Sequence, residues 1–475
     1  MKVFIKTYGC TLNQADSDIM ISLLKAQNFE IVDSEEIADV VVVNTCTVKQ
    51  PTEEKILNHI SKIYTNKKKI VAAGCLATAS PDKIKRYAPN SIIVTTTNID
   101  KIIEAVVAAY KNENIIYNSK AKLDKVELMN KFGAIGSNKN AGVNESISDS
   151  KNIQVYSGNT SIIENNIINP IIAKIPINEG CLGNCTFCET RISRGKLNSF
   201  SEEQILNAIK FSAERGVKEI QLTSQDAGAY GFDKSTNIIQ LMKKIVDIKD
   251  PKFKIRIAMM NPEHLIPIVD EFLALLKNPH FYKFIHIPVQ AGSNRVLKDM
   301  KRRYTREEFL FLVDKIKKHI PNVAIETDII AGYPTETIED FQETISLVKS
   351  ARFDIVNMSR FWKREHTQAS KLKQLSNKEI MNRSIELARV VRRIQKEIND
   401  SYINKYFNAV VTEENEYSFN ARIDSYKKVI IKKVKYKNNL KLGSMIGVKI
   451  SSATANVLYA EKYSLLSDSI NYNNI

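Results

Sequence analysis

A chain of 475 residues with six cysteines and a net charge of +16 is too long for a single domain and too poor in cysteine for a disulfide scaffold. Its 43% hydrophobic content is that of an ordinary soluble protein, and no apolar run approaches the ~18 residues a membrane span needs. The pI of about 9.3 attracts polyanions, so nucleic acid is the default partner, although a general abundance of lysine would give the same charge without one. Met1-Lys2-Val3-Phe4-Ile5 starts directly as strand, with no leader-like charged and apolar regions, so a cytoplasmic, reducing location is expected.

The first 116 residues alternate strand and helix. Strands are expected at Val3–Ile5, Ala38–Val43, Lys69–Ala73 and Ile92–Thr95, with helices at Asp16–Gln27, Pro51–Tyr64 and Ile99–Tyr110. The β-branched run before Asn44 is what a parallel strand covered on both faces requires. Cys10, Cys46 and Cys75 each fall just past the C-terminal end of one of these strands, the edge at which open parallel sheets bind ligands. Buried cysteines acting as small hydrophobes are the alternative. Their equivalent placement favours a three-ligand site.

Residues 117–168 change to Asn, Ser, Lys and Gly without periodicity, as a linker does. From Ile171 the alternation resumes over 169–400. Strands are expected at Ile171–Ile177, Lys218–Thr223, Lys254–Met260, Lys283–Val289, Val323–Ile330 and Ile355–Phe361. Helices are opened by capping boxes at Ser201, Thr305, Thr337 and Ser376. Six such βα units suit a full or partial TIM-type barrel, whose chemistry sits at the C-terminal strand ends.

The first of these strands runs into Cys181, Cys185 and Cys188. Thiols so close on one loop form a strained disulfide, hold a metal or ligate an iron–sulfur cluster. Zinc normally takes a fourth ligand at matching spacing, and no Cys or His follows until His264. Three thiolates suit a [4Fe–4S] cube whose fourth iron stays open. The helix after Ser376 carries Arg383, Arg389, Arg392, Arg393 and Lys396, a solvated face or a nucleic-acid face. Residues 401–463 switch to short strands, Val410–Glu413, Lys428–Ile431, Met445–Ile450 and Asn456–Tyr459, with basic Lys432, Lys433 and Lys435 beside Tyr436. An OB-like barrel with such a strand suits an RNA backbone and stacked bases. Residues 464–475 form a polar tail.

Together these stretches resemble the methylthiotransferase family of radical S-adenosylmethionine (SAM) enzymes, in particular the archaeal and eukaryotic branch that modifies threonylcarbamoyladenosine in tRNA. The matching segments are Thr7–Asn13, Val43–Val48, Ala73–Leu76, Ile177–Cys188, Thr190–Leu197, Gln225–Gly231, His286–Gln290, Thr327–Pro334 and Ser452–Ala455. Ser224, Ala291, Glu365-His366 and Ala421-Arg422-Ile423 depart from the usual pattern. The resemblance implies an α/β multidomain protein. An N-terminal open parallel α/β domain would carry an auxiliary cluster, followed by a radical-SAM partial (βα)6 barrel and a small all-β TRAM barrel. It implies methylthiolation of C2 of N6-threonylcarbamoyladenosine using two [4Fe–4S] clusters and two SAM molecules per turnover. Cys181, Cys185 and Cys188 would hold the SAM-cleaving cluster, and Cys10, Cys46 and Cys75 the auxiliary one.

SAM is expected near Gln225, Asp226, Arg256, Gln290, Thr327 and Gly332. Arg194, Lys196, Lys432, Lys433 and Lys435 are the expected tRNA contacts. A low-potential electron donor and a sulfur source are further expected partners of a monomer without membrane association. The same chemistry on isopentenyladenosine or on a ribosomal-protein aspartate, a small-metabolite enzyme and a non-catalytic Fe–S or zinc RNA-binding protein are the alternatives.

Overall fold

The structure, a computed structural model, describes residues 1–119, 121–133, 169–249, 253–433 and 440–465. They fall into two compact units: Met1–Gly183 with Cys188–Gln225, and Asn184–Phe187 with Asp226–Ile475.

The first unit is built on a parallel sheet of β1 (Lys2–Thr7), β2 (Glu30–Ile31), β3 (Val40–Thr45), β4 (Lys69–Gly74), β5 (Ile92–Val94) and β6 (Ile116–Tyr117), in the order β2-β1-β3-β4-β5-β6. Val40 to Val43 are fully buried, as expected of a central strand covered on both faces. The strands alternate with α1 (Thr11–Ala26), α2 (Gln50–Thr65), α3 (Cys75–Ala79), α4 (Pro81–Tyr87) and α5 (Ile102–Tyr110). Helix α1 starts five residues before the expected Asp16, because Asn13, Asp16, Ser17 and Asp18 are buried polar residues that hide its apolar period.

The stretch expected to be linker contains a helix, α6 (Lys125–Phe132). Asp124 caps it by accepting from the amides of Val126 and Glu127. It buries Val126, Met129 and the whole of Lys125, and a lysine at a core position reads as loop in a sequence. Residues 134–168 of that stretch lie outside the described residues. Strand β7 (Ile172–Pro176) follows, then β8 (Asn178–Glu179), α7 (Thr190–Arg194), β9 (Asn198–Ser199), α8 (Glu202–Glu214) and β10 (Glu219–Thr223). β7 and β10 pair in parallel, and β8 and β9 pair antiparallel, flanking the cysteine-rich segment. Ser201 opens α8 without the expected side-chain cap.

The second unit continues with α9 (Ile238–Val246), β11 (Lys254–Arg256), α10 (Pro262–Leu265), α11 (Val269–Leu276), β12 (Phe284–His286), α12 (Asn294–Asp299), α13 (Arg306–His319), β13 (Ala324–Ala331), α14 (Ile338–Ala351), β14 (Ile355–Arg360) and α15 (Asn377–Asp400). β12, β13 and β14 form a parallel sheet, and the capping boxes at Thr305, Thr337 and Ser376 are all present. A closed five-stranded barrel follows: β15 (Tyr406–Glu414), β16 (Ser418–Ile423), β17 (Lys428–Lys432), β18 (Met445–Ala453) and β19 (Leu458–Leu465), ordered β15-β16-β17-β19-β18. β16, with Asn420 and Arg422 facing away from its apolar residues, is the strand the sequence pattern did not reveal. The barrel closes on Val411, Phe419, Ile431, Val448 and Ile450. Tyr426, between β16 and β17, packs edge-on against Tyr282 and tilted against Phe284, with centroids 4.9 and 5.0 Å apart. Among the described residues no helix is long and apolar enough to cross a membrane.

Candidate functional site

Because β1, β3 and β4 are neighbours, the residues that follow them meet at one edge of the sheet. These are Cys10, Cys46 and Cys75. Cys10 is exposed, whereas Cys46 and Cys75 are buried. Gly9 stands at φ +106°, and a Cβ there would lie 2.9 Å from Cys46 Cβ and 3.0 Å from its sulfur. Only glycine lets the β1 turn approach Cys46 so closely. Asn13 ties two of these turns together, donating to Tyr8 O (2.8 Å) and Thr45 O (2.9 Å). The Thr45 hydroxyl donates to Ala73 O and accepts from the Ala77 amide, fixing the third.

Burial pushes the Cys46 thiol up to about 12, with Cys75 and Cys10 adding to the shift. Burial also raises Cys75, against the pull of Arg194. The two buried thiols, Cys46 and Cys75, therefore resist ionisation unless further positive charge joins them, which is the behaviour of a site made for metal. Among the described residues, no three His, Cys, Asp or Glu side chains close on a point that a single metal ion could occupy. The backbone favours sulfur ligands of an iron–sulfur group: the Val48 amide donates to Cys46 Sγ at 3.5 Å. The same arrangement recurs in the second cysteine set, where the Gly183 amide donates to Cys181 Sγ (3.2 Å) and the Thr190 amide to Cys188 Sγ (3.4 Å). In each case the donor lies two residues after the cysteine. The donor sets at both places fit iron–sulfur groups.

Arg194 was expected at a tRNA phosphate. Instead it is 4% exposed and points at the N-terminal cysteines. Its Nε donates to Cys75 Sγ at 3.3 Å, its Nη1 contacts Asp16 (2.7 Å) and Glu179 (2.6 Å), and its Nη2 donates to Asn13 Oδ1. Burial opposes its charge, but Asp16, Cys75 and Glu179 outweigh that and hold the guanidinium firmly protonated. Lys125 also spans Asp16 and Glu179, at 2.7 and 2.8 Å. Asn13 and Glu179 lie inside the matching segments Thr7–Asn13 and Ile177–Cys188, whereas Asp16 and Lys125 lie in none, and only the tertiary fold brings the four together. Lys196 is exposed, as expected of a tRNA contact. Ser224, a departure from the family pattern, donates its hydroxyl to Asn178.

In the second unit Cys185 receives a bond from Arg302 Nη1 at 3.4 Å. The same guanidinium donates to Tyr304 (2.9 Å), Pro288 O (2.9 Å) and Asn261. Burial again opposes the charge, and Tyr304 and Cys185 overcome it, so Arg302 is a fixed cation beside the sulfur. Thr186, next in the loop, is pinned by Tyr333 (2.8 Å) and by Asp299 O (3.0 Å).

The residues expected beside SAM divide. Thr327 is fully buried and spends its hydroxyl on Ile287 O and the Val289 amide, stitching β13 to the end of β12. Asp226 is committed to His264 Nδ1 (2.7 Å) and the Asn261 amide (3.1 Å). Arg256, the last residue of β11, stacks on Phe284 and Tyr426, 5.2 and 5.6 Å from their centroids, so its side chain packs against the turn between β16 and β17. Gly332, at φ +79°, lies against Ile380 and donates its amide to Glu336. Gln225 keeps a buried amide oxygen without a partner, and Gln290 sits in the left-handed region at φ +69°. The backbone of Gln290 is fixed on both sides, its amide donating to Asp328 O (2.8 Å) and its carbonyl accepting from the Ile330 amide (2.9 Å).

On the C-terminal barrel Lys432 is exposed and Lys433 pairs with Glu414 at 2.7 Å, while Lys435 lies outside the described residues. Tyr406, 75% exposed, has the Lys449 ammonium 5.6 Å from its ring. On α15, Arg389, Arg392 and Arg393 are exposed, but Arg383 is buried against Glu336 at 2.7 Å and belongs to the packing, not to a basic face.

Residues 175–348 match the radical SAM superfamily, and residues 2–95 match a family described only as an uncharacterized protein family, UPF0004. A solved radical SAM methyltransferase, TsrM from Kitasatospora setae, with cobalamin and a [4Fe–4S] cluster bound, shares the fold at TM-score 0.52 and 13% identity, covering 78% of this chain and 77% of that one. The class is therefore that of radical SAM enzymes. Curated relatives narrow it. A probable threonylcarbamoyladenosine tRNA methylthiotransferase of Pyrococcus horikoshii is 37% identical over 91% of this chain and 93% of its own length. Its Archaeoglobus fulgidus counterpart is 35% identical over 97% and 98%. The Homo sapiens threonylcarbamoyladenosine tRNA methylthiotransferase is 33% identical over 94% of this chain and 72% of its own length. The chain belongs to the threonylcarbamoyladenosine tRNA methylthiotransferase family.

Proposed function

We propose that the protein methylthiolates C2 of N6-threonylcarbamoyladenosine in tRNA, working in the cytoplasm as a monomer with a low-potential electron donor and a sulfur source. The observation that carries this reading is the meeting of Cys10, Cys46 and Cys75 beyond three adjacent strands, in a chain that also bears the radical SAM cysteines. One triad accounts for activating an inert C–H bond, and a second for the sulfur that is added.

Cys181, Cys185 and Cys188 would hold one [4Fe–4S] cluster, and Cys10, Cys46 and Cys75 another. When bound, the first would supply electron transfer to SAM and the second would supply a site for the sulfur that is added. The chain's own residues set the conditions. Backbone amides after Cys46, Cys181 and Cys188 stabilise thiolates, and Arg302 holds the Cys185 sulfur against Asn261 and Tyr304. Gln225 and Gln290 are the side chains we assign to SAM. Lys196, Lys432 and the outer face of the C-terminal barrel meet the tRNA, where phosphate contacts position and stacking adds affinity.

Nucleoside mass spectrometry of tRNA from cells lacking and expressing the protein tests the reading. The methylthio form of threonylcarbamoyladenosine should appear only with the protein. Its presence in both strains overturns the substrate assignment.

A further inference from the structure

The guanidinium of Arg194 is used at all three nitrogens, and only two of them serve the acids and Asn13. The third, Nε, is aimed at the Cys75 sulfur at 3.3 Å. Around it, Asp16 and Glu179 face two cations, Arg194 and Lys125, so the buried charges balance without help from the cysteines. Lys125, like Arg194 Nη1, reaches both carboxylates. The bond from Arg194 to sulfur is therefore an addition to the ion network, not a by-product of neutralising it. Both partners of Arg194 on the acid side are fixed: Asp16 lies on α1, which begins beside Cys10, and Glu179 on β8, two residues before Cys181. The arginine itself ends α7, the short helix that follows Cys188.

A positive charge and an N–H donor at a cluster sulfur, inside a low-dielectric site, stabilise the more negative, reduced form. A planar fork held by three acceptors delivers that bond rigidly, which the single ammonium of a lysine cannot. We propose that Arg194 is the positioning residue that raises the reduction potential of the iron–sulfur group at Cys10, Cys46 and Cys75, through its bond to Cys75 Sγ, with Asp16, Glu179 and Lys125 fixing its orientation. This rests on the assignment of a cluster to those three cysteines. It also gives Arg194 a different task from a substrate phosphate contact.

The test uses the full-length chain with Cys181, Cys185 and Cys188 replaced by alanine, so that only the N-terminal thiols hold iron. Anaerobic reconstitution with iron and sulfide, followed by iron analysis, comes first. A parent that binds no iron removes the cluster assignment itself, and with it the proposal. Where the parent is loaded, dye-mediated redox titration followed by electron paramagnetic resonance compares it with R194K and with R194M/D16N, the latter chosen to keep the buried charge balanced. The reduced-to-oxidised ratio at a fixed potential should fall about tenfold in R194M/D16N, equivalent to about 59 mV for a one-electron couple. A smaller fall in the same direction is expected in R194K. Unchanged midpoints in iron-loaded variants overturn the proposal. So does loss of iron from both variants with circular dichroism intact, since Arg194 would then shape the site without tuning it.

Discussion

Lys427, just before β17, and Asp354, just before β14, form a buried ion pair of 2.8 Å that fastens the C-terminal barrel to the parallel sheet of the second unit. Asn399 of α15 accepts from the same ammonium (2.9 Å) and donates to Thr454 O and Ala455 O, extending the clasp to the turn between β18 and β19. Lys427→Met would leave the Asp354 carboxylate buried and unpaired, at a cost of about 3–5 kcal/mol. The double variant K427M/D354N should recover most of that. The single tryptophan, Trp362, lies in the same unit and reports the transition by fluorescence during urea unfolding. A single variant as stable as the parent would mean the clasp is not a stabilising contact.

Arg302 and Cys185 provide a second test, this time of function. Arg302→Lys keeps the charge but loses the fork that reaches Cys185, Tyr304, Pro288 and Asn261 together. Loss of a residue that orients a ligand commonly costs about 10- to 100-fold in metal affinity or activity. Formation of 5′-deoxyadenosine by the reconstituted variant should fall by that amount, together with iron retained on gel filtration. Full activity would show that the remaining contacts of the cysteine loop suffice.

His264 sets a pH dependence. Burial lowers its pKa, but the hydrogen bond and charge of Asp226 more than reverse this, and the folded imidazole titrates above its usual 6.5. A raised folded pKa means that the contribution to stability is complete below about pH 6.5 and is lost as pH rises through the folded value. The stability difference between the parent and H264Q should accordingly be larger at pH 6 than at pH 9 in thermal unfolding. A difference that grows with pH would contradict the sign.

Gly9 is the position where backbone and site are most tightly coupled. Gly9→Ala places a methyl against Cys46 and asks an L-residue to hold φ +106°. Strain of about 1–3 kcal/mol falls directly on the turn that carries Cys10. Iron content should drop toward that of Cys46→Ala, while SAM cleavage by the other cysteine set survives and methylthiolation is lost. Loss of both activities with the fold intact would argue against separate tasks for the two sets.

The meeting of Cys10, Cys46 and Cys75 was legible in the sequence for a physical reason. Parallel strands announce themselves as β-branched runs, and Cys10, Cys46 and Cys75 follow such runs directly. The adjacency of β1, β3 and β4 then brings them together. The surroundings were not legible. Arg194 meets Asn13 across 181 positions and Lys125 meets Asp16 across 109, and local pattern holds no trace of such pairs. Lys125 even misled, because a charged residue at a core position reads as loop until its two carboxylates are seen. The residues expected beside SAM meet a similar limit. A strand-end position fixes where Thr327 and Asp226 lie along the chain, but not whether the side chain faces a ligand or a neighbouring strand.

The outer wall of the C-terminal barrel is where tRNA affinity should be measurable apart from the chemistry. Tyr406 and Lys449 are directly opposed on β15 and β18, and the ammonium lies 5.6 Å from an aromatic ring that is 75% exposed. A solvent-facing aromatic backed by a cation is a surface on which a base can stack while the lysine reaches a phosphate. Stacking of this kind is worth about 1–3 kcal/mol per base. Tyr406→Ala should therefore weaken tRNA binding by about 5- to 150-fold, with little change in how binding depends on salt. Lys449→Gln should instead flatten the salt dependence, because one fewer counterion is released on binding. Filter binding across a range of salt concentrations separates the two effects. Equal affinity of both variants and the parent would move the tRNA surface elsewhere, with the exposed Arg389, Arg392 and Arg393 of α15 the next to be replaced.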